Sequence, residues 1–120
     1  MATNFVNQGE VITYANSGSA ISAGDVVVIG QNIGIALVDI ANGASGSVAM
    51  SGVFTVPKVS AAVIAQGESV IYDVSASAFD DNAATPATGD VSGCCVAMEA
   101  AGNGVTEIDV KLNVGVGTVA

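Results

Sequence analysis

The sequence predicts an all-β protein, a small barrel or β-roll of about six to eight strands. Short runs rich in Val and Ile alternate with clusters of Gly, Asn, Asp and Ser along the 120 residues, a pattern typical of strands between turns. A glycine–acid pair followed by an apolar run occurs twice. The chain is 51% apolar, which is enough for one core in a single domain of this length.

The strands are predicted from seven apolar runs, each bounded by turn-forming residues: EVITYA, DVVVIG, IGIALVDI, SVAMSGVFTV, SVIYDV, SGCCVAME and VTEIDVKL. Within the last run, IDVKL alternates apolar and charged residues, so one face of that strand should be buried and the other solvated. A short helical turn is expected only near 58–66, because Pro57 suits the first turn of a helix and Gly67 suits its end.

We divide the chain into an extended N-terminal arm at 1–8, a single β domain at 9–113 and a C-terminal tail at 114–120. The polar, proline-containing stretch at 75–90 is predicted to be a loop insertion within the domain. The arm has neither a basic stretch nor a continuous apolar stretch, so it does not resemble a secretory signal. We therefore expect synthesis in the cytoplasm.

An internal repeat relates the two glycine–acid pairs. Four residues recur after 43 positions, namely Ile21, Gly24, Asp25 and Val27 as Ile64, Gly67, Glu68 and Val70. Four later residues recur after 59 positions, namely Gly34, Leu37, Ala41 and Gly43 as Gly93, Val96, Ala100 and Gly102. The separations differ by 16, which is the length of the stretch 75–90, so a single insertion accounts for the difference. The sequence thus predicts weak internal pseudo-symmetry.

Each glycine–acid pair is interpreted as a turn that precedes a strand. Glycine supplies the φ freedom of the turn, and the acid can accept a backbone N–H where the strand begins. A phosphate-binding loop would need a Gly-Lys-Ser/Thr sequence or three spaced glycines before a helix. A strand follows here instead, so we expect no phosphate site.

The charge balance narrows the class of partner. The chain has two Lys, no Arg, no His and 11 acids, which gives a net charge of -9. Nucleic-acid binding and attachment to anionic membranes both depend on clustered basic residues, so neither is expected. Only 11% of residues are charged, against about 25% in a typical soluble domain, and we therefore expect subunit interfaces between copies.

The residue types argue against an enzyme, and we assign no catalytic residue, cofactor or metal. Ser and Cys have no His to deprotonate them, and the two adjacent cysteines cannot supply the four ligands of a zinc site. Cys94 and Cys95 are expected as reduced thiols on opposite faces of a strand. Lys58 is interpreted as a solvated strand end, or as the partner of a carboxylate across an interface, rather than as a tuned base.

A calcium- or carbohydrate-binding β module is the alternative function. Its site would use Asp80, Asp81 and Asp90, whose oxygens are the ligands that Ca²⁺ prefers. The order of acidic residues does not match an EF-hand loop, so the favoured interpretation of this stretch is a solvated surface loop.

Aromatic residues suggest where the core and a partner contact lie. Tyr14, Phe54 and Tyr72 fall within predicted strands and are assigned to the core. Phe5 lies in the polar leader ATNFVNQG, before the first predicted strand. It is either an apolar anchor that docks on another protein, for instance by strand addition, or part of an edge strand of its own domain.

Several stretches resemble the capsid cement, or head decoration, proteins of tailed bacteriophages and prophages. They are MATNFVNQGEVITY, GDVVVIGQNIGIALVDIANGASGSVAMSGVFTVPK, GESVIYD and GVTEIDVKLN, and the likeness extends from Met1 to Asn113. The resemblance implies a small β-rich protein that binds the outside of an assembled capsid and stabilises the shell. Its partner would be the lattice of the major capsid protein.

This interpretation assigns the capsid contact to the extended arm, at Thr3, Asn4, Phe5 and Val6. A homo-oligomer is expected, and a trimer is favoured because it suits three-fold sites between capsomers. The protein would be made in the host cytoplasm and located on the exterior of the virion capsid.

Overall fold

The structure is a computed structural model that describes Asn4 and residues 9–120. These residues form ten strands: β1 (Val11–Ala15), β2 (Val26–Ile29), β3 (Asn32–Ala36), β4 (Ser45–Ala49), β5 (Val53–Pro57), β6 (Ser69–Asp73), β7 (Ala78–Asp80), β8 (Val91–Ala97), β9 (Glu107–Lys111) and β10 (Thr118–Val119). The all-β prediction is confirmed. The described residues contain no helix, and therefore none that could cross a membrane.

The strands form two antiparallel sheets. The first has the order β1-β4-β3-β2, and the second has the order β5-β9-β8-β6-β7, with β10 paired to β8. Closure of a barrel is not confirmed, because β5 and β7 are joined through one isolated parallel bridge between Lys58 and Phe79. The strand count exceeds the predicted six to eight because β7 and β10 lie in stretches that we predicted to be a loop and a tail.

The helical turn expected near 58–66 does not form. This stretch is extended and tied to the sheet at both ends, by the Lys58–Phe79 bridge and by a bridge between Ile64 and Ala101. Between them the Ala62 N–H donates to the Val59 carbonyl at 3.0 Å, which closes a single turn. Lys58 and Ile64 are both buried, so their packing fixes an extended path that is too short for a helix.

The internal repeat is present in the topology. The order β5-β9-β8-β6 of the second half repeats the order β1-β4-β3-β2 of the first. The Gly24 N–H donates to the Ala36 carbonyl at 2.7 Å, and the Gly67 N–H donates to the Ala97 carbonyl at 2.8 Å. Both glycines have a positive φ, 91° and 85°, which favours glycine at these turns.

The acids of the two turns also act alike. A carboxylate oxygen of Asp25 accepts the Ser22 N–H at 2.9 Å, and one of Glu68 accepts the Ala65 N–H at 3.0 Å. Each carboxylate therefore closes the turn that starts β2 or β6. This is the role that the sequence predicts for the glycine–acid pairs.

The predicted separation of 59 positions between equivalent residues of the two halves is wrong beyond a β-bulge in β8. Ile71 pairs with Ser92 but Val70 pairs with Cys95, so Gly93 and Cys94 are extra residues in β8. Gly93 has a φ of 85°, as a bulge of this kind favours. Beyond the bulge, equivalent residues lie 61 positions apart as far as the next turn, where Gly43 corresponds to Gly104 rather than to Gly102, and 62 positions apart in β4 and β9.

The apolar residues form two clusters. The larger is built mainly from the second half, with Ile33 and Ile35 of β3 added to it. The smaller belongs to the first half and combines four buried residues with five partly buried ones: Val27, Ala36, Ile40 and Val48, with Ile12, Tyr14, Ile21, Ile29 and Met50.

Of the aromatic residues predicted to lie in the core, Tyr72 is buried, whereas Tyr14 and Phe54 are only partly buried. Phe79, which we placed in a loop, is fully buried against Tyr72 with ring centroids 5.0 Å apart.

Candidate functional site

Lys58 is not a solvated strand end, because only 3% of its surface is exposed. Its Nζ donates to the backbone carbonyls of Val59, Gly102 and Val105 at 2.9, 3.0 and 3.1 Å, and lies 3.4 Å from that of Ser60. The ammonium group therefore holds together the segment after β5 and the loop before β9. With its donors turned to backbone carbonyls, it serves the fold rather than a reaction.

Asn16 is the residue of the first half that corresponds in position to Lys58. It directly follows β1, is buried, and its Nδ2 lies 2.9 Å from the Ser19 carbonyl, 3.1 Å from that of Ile40 and 3.4 Å from that of Ala41. Sequence reasoning missed Asn16 because a single amide in a polar stretch carries no signal. The repeat, once aligned in its structural register, would have paired it with Lys58.

The two cysteines are reduced and buried, but they are not on opposite faces of β8. Their Sγ atoms lie 3.4 Å apart, and both belong to the larger core cluster. The bulge explains the correction, since the two extra residues, Gly93 and Cys94, interrupt the regular alternation of side chains along β8. Hydrogen bonding to Cys95, together with burial, raises the pKa of the Cys94 thiol above its ordinary value. The same hydrogen bond lowers the pKa of the Cys95 thiol. Both side chains are almost completely buried, so it is burial that keeps reagents and metal ions away from the pair.

Asp80, Asp81 and Asp90 each cap local backbone rather than converge on one point. Asp80 accepts the Asp81 N–H, Asp81 accepts those of Ala83 and Ala84, and Asp90 accepts those of Val74 and Ala87. Within residues 9–120 and Asn4, no group of three or more His, Cys, Asp or Glu is placed to hold a metal ion. The arrangement gives no support to the calcium-binding alternative.

Most of the acidic residues have the same local role. Nine of the eleven carboxylates accept a hydrogen bond from a neighbouring N–H or hydroxyl, namely Asp25, Asp39, Glu68, Asp73, Asp80, Asp81, Asp90, Glu99 and Asp109. For Asp73, bonds from the Ser75 hydroxyl and the Ala76 N–H hold the pKa of the carboxyl below its ordinary value of 3.8. The acids therefore stabilise turns or tie adjacent segments together, as Asp109 does with Thr55 of the neighbouring strand, and they do not form a paired acid–base site.

A cleft of about 300 Å³ lies where the first glycine–acid turn meets the second half, lined by Gly24, Asp25, Val26, Pro57, Tyr72 and Ser77. The Tyr72 hydroxyl is hydrogen-bonded to Ser77, and burial raises the pKa of Tyr72. The one carboxylate that lines the cleft, that of Asp25, already accepts the Ser22 N–H. The residues that line the cleft do not include a nucleophile hydrogen-bonded to a base.

The surface is low in charge and carries exposed apolar side chains. Of the two lysines, Lys111 is exposed and Lys58 is buried. Exposed valines include Val53, Val63 and Val116, at 53%, 63% and 74% of their surface. Of the residues predicted to contact the capsid, Asn4 is exposed, and Thr3, Phe5 and Val6 lie outside the described residues.

A fold whose polar groups are committed to its own turns and loops, under a surface of low charge, defines a structural protein that acts through contact with other proteins. The chain belongs to the phage cement protein family, whose model matches residues 6–112. The suspected resemblance is thereby confirmed. A search of curated proteins finds no match to the chain. Cement proteins are structural proteins that bind the phage capsid, so this chain has a structural role in a phage and is associated with the virion capsid.

Proposed function

We propose that this protein binds the exterior of an assembled phage capsid and stabilises the shell. The observation that carries the proposal is the family match over residues 6–112, which includes all of the first nine strands. The geometry supports it, because reinforcement of a shell needs a rigid body with surfaces for contact and needs no reacting group. Modest contacts suffice when many copies act on one lattice.

The charge distribution supports an exterior position. The net charge is -9, and the one lysine on the surface of the described residues is Lys111. Such a surface is repelled by packaged nucleic acid and favours a neutral or basic protein surface. The same acidity would keep free copies soluble before they reach the shell.

We further infer that the N-terminal arm takes part in attachment, through Thr3, Asn4, Phe5 and Val6. Asn4 is exposed, and only Gly9 and Glu10 separate the arm from β1 in the sequence, so contacts of the arm and of the domain can be made on the same partner. A homo-oligomer, with a trimer favoured, fits the low charge and the exposed valines. Sedimentation equilibrium of the free protein measures its subunit number.

The test is binding to expanded phage heads that lack the protein. The purified chain should co-sediment with such heads in a saturable way and raise the temperature at which they rupture. A chain lacking residues 2–7 should keep its melting temperature but bind more weakly. Absence of any binding by the intact chain would contradict the proposed function, whereas undiminished binding by the shortened chain would contradict only the role of the arm.

A further inference from the structure

The outer edge of β1 is unpaired among the residues that the structure describes. β1 is the end strand of the first sheet and pairs with β4 on its other side. The Met50 N–H donates to the Glu10 carbonyl at 2.8 Å, and the Asn16 N–H donates to the Ala44 carbonyl at 2.9 Å. Because residues of an antiparallel strand bond alternately to either side, the backbone groups of Val11, Thr13 and Ala15 point outward.

The equivalent strand of the second half is closed. β5 pairs with β9 in the same manner, since the Lys58 N–H donates to the Thr106 carbonyl at 2.8 Å, and its outward positions include Pro57. Proline removes a donor and protects an edge strand against pairing. The position in β1 that corresponds to Pro57, 42 residues earlier, is Ala15, which keeps its N–H.

The second half also has a strand beside β5 that has no counterpart among the described residues of the first half. Beyond Pro57, the Val59 N–H donates to the carbonyl of Phe79 in β7 at 2.9 Å. In the first half, β2 and β3 are joined by Gly30 and Gln31 alone, so no counterpart of β7 can be inserted there.

The core residues near β1 are correspondingly more exposed than their counterparts in the second half. Three core residues of the second half, Val56, Ile64 and Leu112, are exposed by only 1 to 2%. Their counterparts in the first half are only partly buried, namely Tyr14, Ile21 and Met50. Among the described residues, the first half thus repeats the second without a counterpart of β7, and its core is more exposed on that side.

We propose that the outer edge of β1 is completed by an extended segment of the capsid protein, which adds as a strand and covers the open core. This inference rests on the proposed function and specifies the surface that binds the shell. The segment presents an apolar side chain towards the partly buried Ile12 and Tyr14, just as Phe79 of β7 adds an apolar side chain to the core of the second half. Beside the exposed Glu10 at the start of β1, a basic or neutral residue fits.

A second copy of this chain is the less suitable occupant. Pairing of β1 with its own copy is isologous and gives a two-fold dimer, which a trimer does not contain. It would also place two chains of charge -9 side by side along a strand of five residues, a contact too small for a stable dimer. The same short contact is sufficient on a lattice, where many copies bind together.

The test is an Ala15→Pro variant, with Pro57→Ala as its matched control. Ala15→Pro copies into β1 the residue that β5 already accommodates at the corresponding position, so the fold should persist with an unchanged melting temperature. Its affinity for expanded heads should fall by about tenfold or more, since one strand-addition hydrogen bond and its neighbours are lost. Pro57→Ala should bind heads as the unaltered chain does.

Hydrogen exchange of the unaltered chain gives a second readout that needs no variant. The amides of Val11, Thr13 and Ala15 should exchange rapidly in the free protein and slowly on heads. Binding of Ala15→Pro at full affinity, or unprotected amides on decorated heads, would overturn this inference while leaving capsid binding intact. If the unaltered chain binds no heads, the proposed function fails instead. Slow exchange of these amides in the free protein would also overturn this inference if Ala15→Pro makes the exchange fast. That result would show that the β1 edge is already paired, within one copy or between copies.

Discussion

Asn16 and Lys58 occupy equivalent positions, directly after β1 and β5, and each donates a hydrogen bond to the carbonyl of an equivalent loop residue. Asn16 Nδ2 reaches Ala41 at 3.4 Å and Lys58 Nζ reaches Gly102 at 3.0 Å. The two halves thus use different side chains, one neutral and one charged, for the same task of tying a strand end to a distant loop.

The buried ammonium group should be important for stability. Lys58→Met keeps most of the length of the side chain but leaves three or four partly buried carbonyls without their donor. We expect the free energy of unfolding to fall by roughly 2–4 kcal/mol, because each unsatisfied buried group costs about 1–3 kcal/mol and solvent will reach some of them. Urea unfolding measures the change. Lys111→Met, at an exposed position, is the control and should alter stability by less than about 0.5 kcal/mol.

Gly117 should tolerate no side chain. A Cβ at this position would lie 2.6 Å from the Gln31 carbonyl oxygen and 2.6 Å from Val91 Cγ1. Gly117→Ala is expected to reduce the free energy of unfolding by about 2 kcal/mol, since part of the clash is with backbone that cannot rotate away. Gly102→Ala is the control, because a Cβ there meets no atom within 4 Å. Equal urea midpoints for the two variants would contradict the packing of the chain around Gly117.

The thiols should be unreactive in the folded protein. Cys94 and Cys95 are exposed by 1% and 0%, and the pKa of Cys94 is raised by its hydrogen bond with Cys95 and by burial. At pH 8 the native chain should therefore displace little coloured thiolate from an aromatic disulfide reagent, whereas the chain in urea should displace two equivalents, because each accessible protein thiolate attacks the reagent and releases one of its halves. A Cys95→Ala variant should release one equivalent in urea. Rapid reaction of the native chain would contradict the buried pair.

Asp73 should titrate below its ordinary value because of Ser75. The Ser75 hydroxyl donates to Asp73 Oδ1 at 2.7 Å and is the largest cause of the lowered pKa. A carboxyl whose pKa is lower in the folded state adds stability at pH values above 3.8, and this is lost as the pH falls through the lower folded value. Ser75→Ala should raise the pKa of Asp73, as followed by NMR titration. Ser51→Ala, at an exposed site outside this turn, should leave it unchanged.

The sequence was informative wherever a local pattern decides the structure. Runs of Val and Ile between turn residues predicted eight of the ten strands at least in part, and the glycine–acid pairs predicted the turns before β2 and β6. Strand β7 was missed because its three residues, AFD, lie in a polar stretch and owe their pairing to Tyr72 and its neighbours.

Contacts between distant residues could not be predicted in this way. The environment of Lys58 depends on Gly102 and Val105, which lie more than 40 positions away, so its local sequence suggested solvent. The bulge in β8 shifted the repeat by two residues, and aligning Gly34 with Gly93 concealed it.

The segment 82–88 between β7 and β8 offers a site for engineering. All of its residues except the half-buried Ala84 are exposed, and the carboxylates of Asp81 and Asp90 close a turn at either end of it. A foreign peptide inserted between Thr85 and Pro86 would thus lie outside the strands of both sheets and be flanked by the two turns that Asp81 and Asp90 close. On a phage particle that carries this protein, every copy of the protein would then carry one copy of the grafted peptide. The segment is therefore a suitable place for antigens or affinity tags.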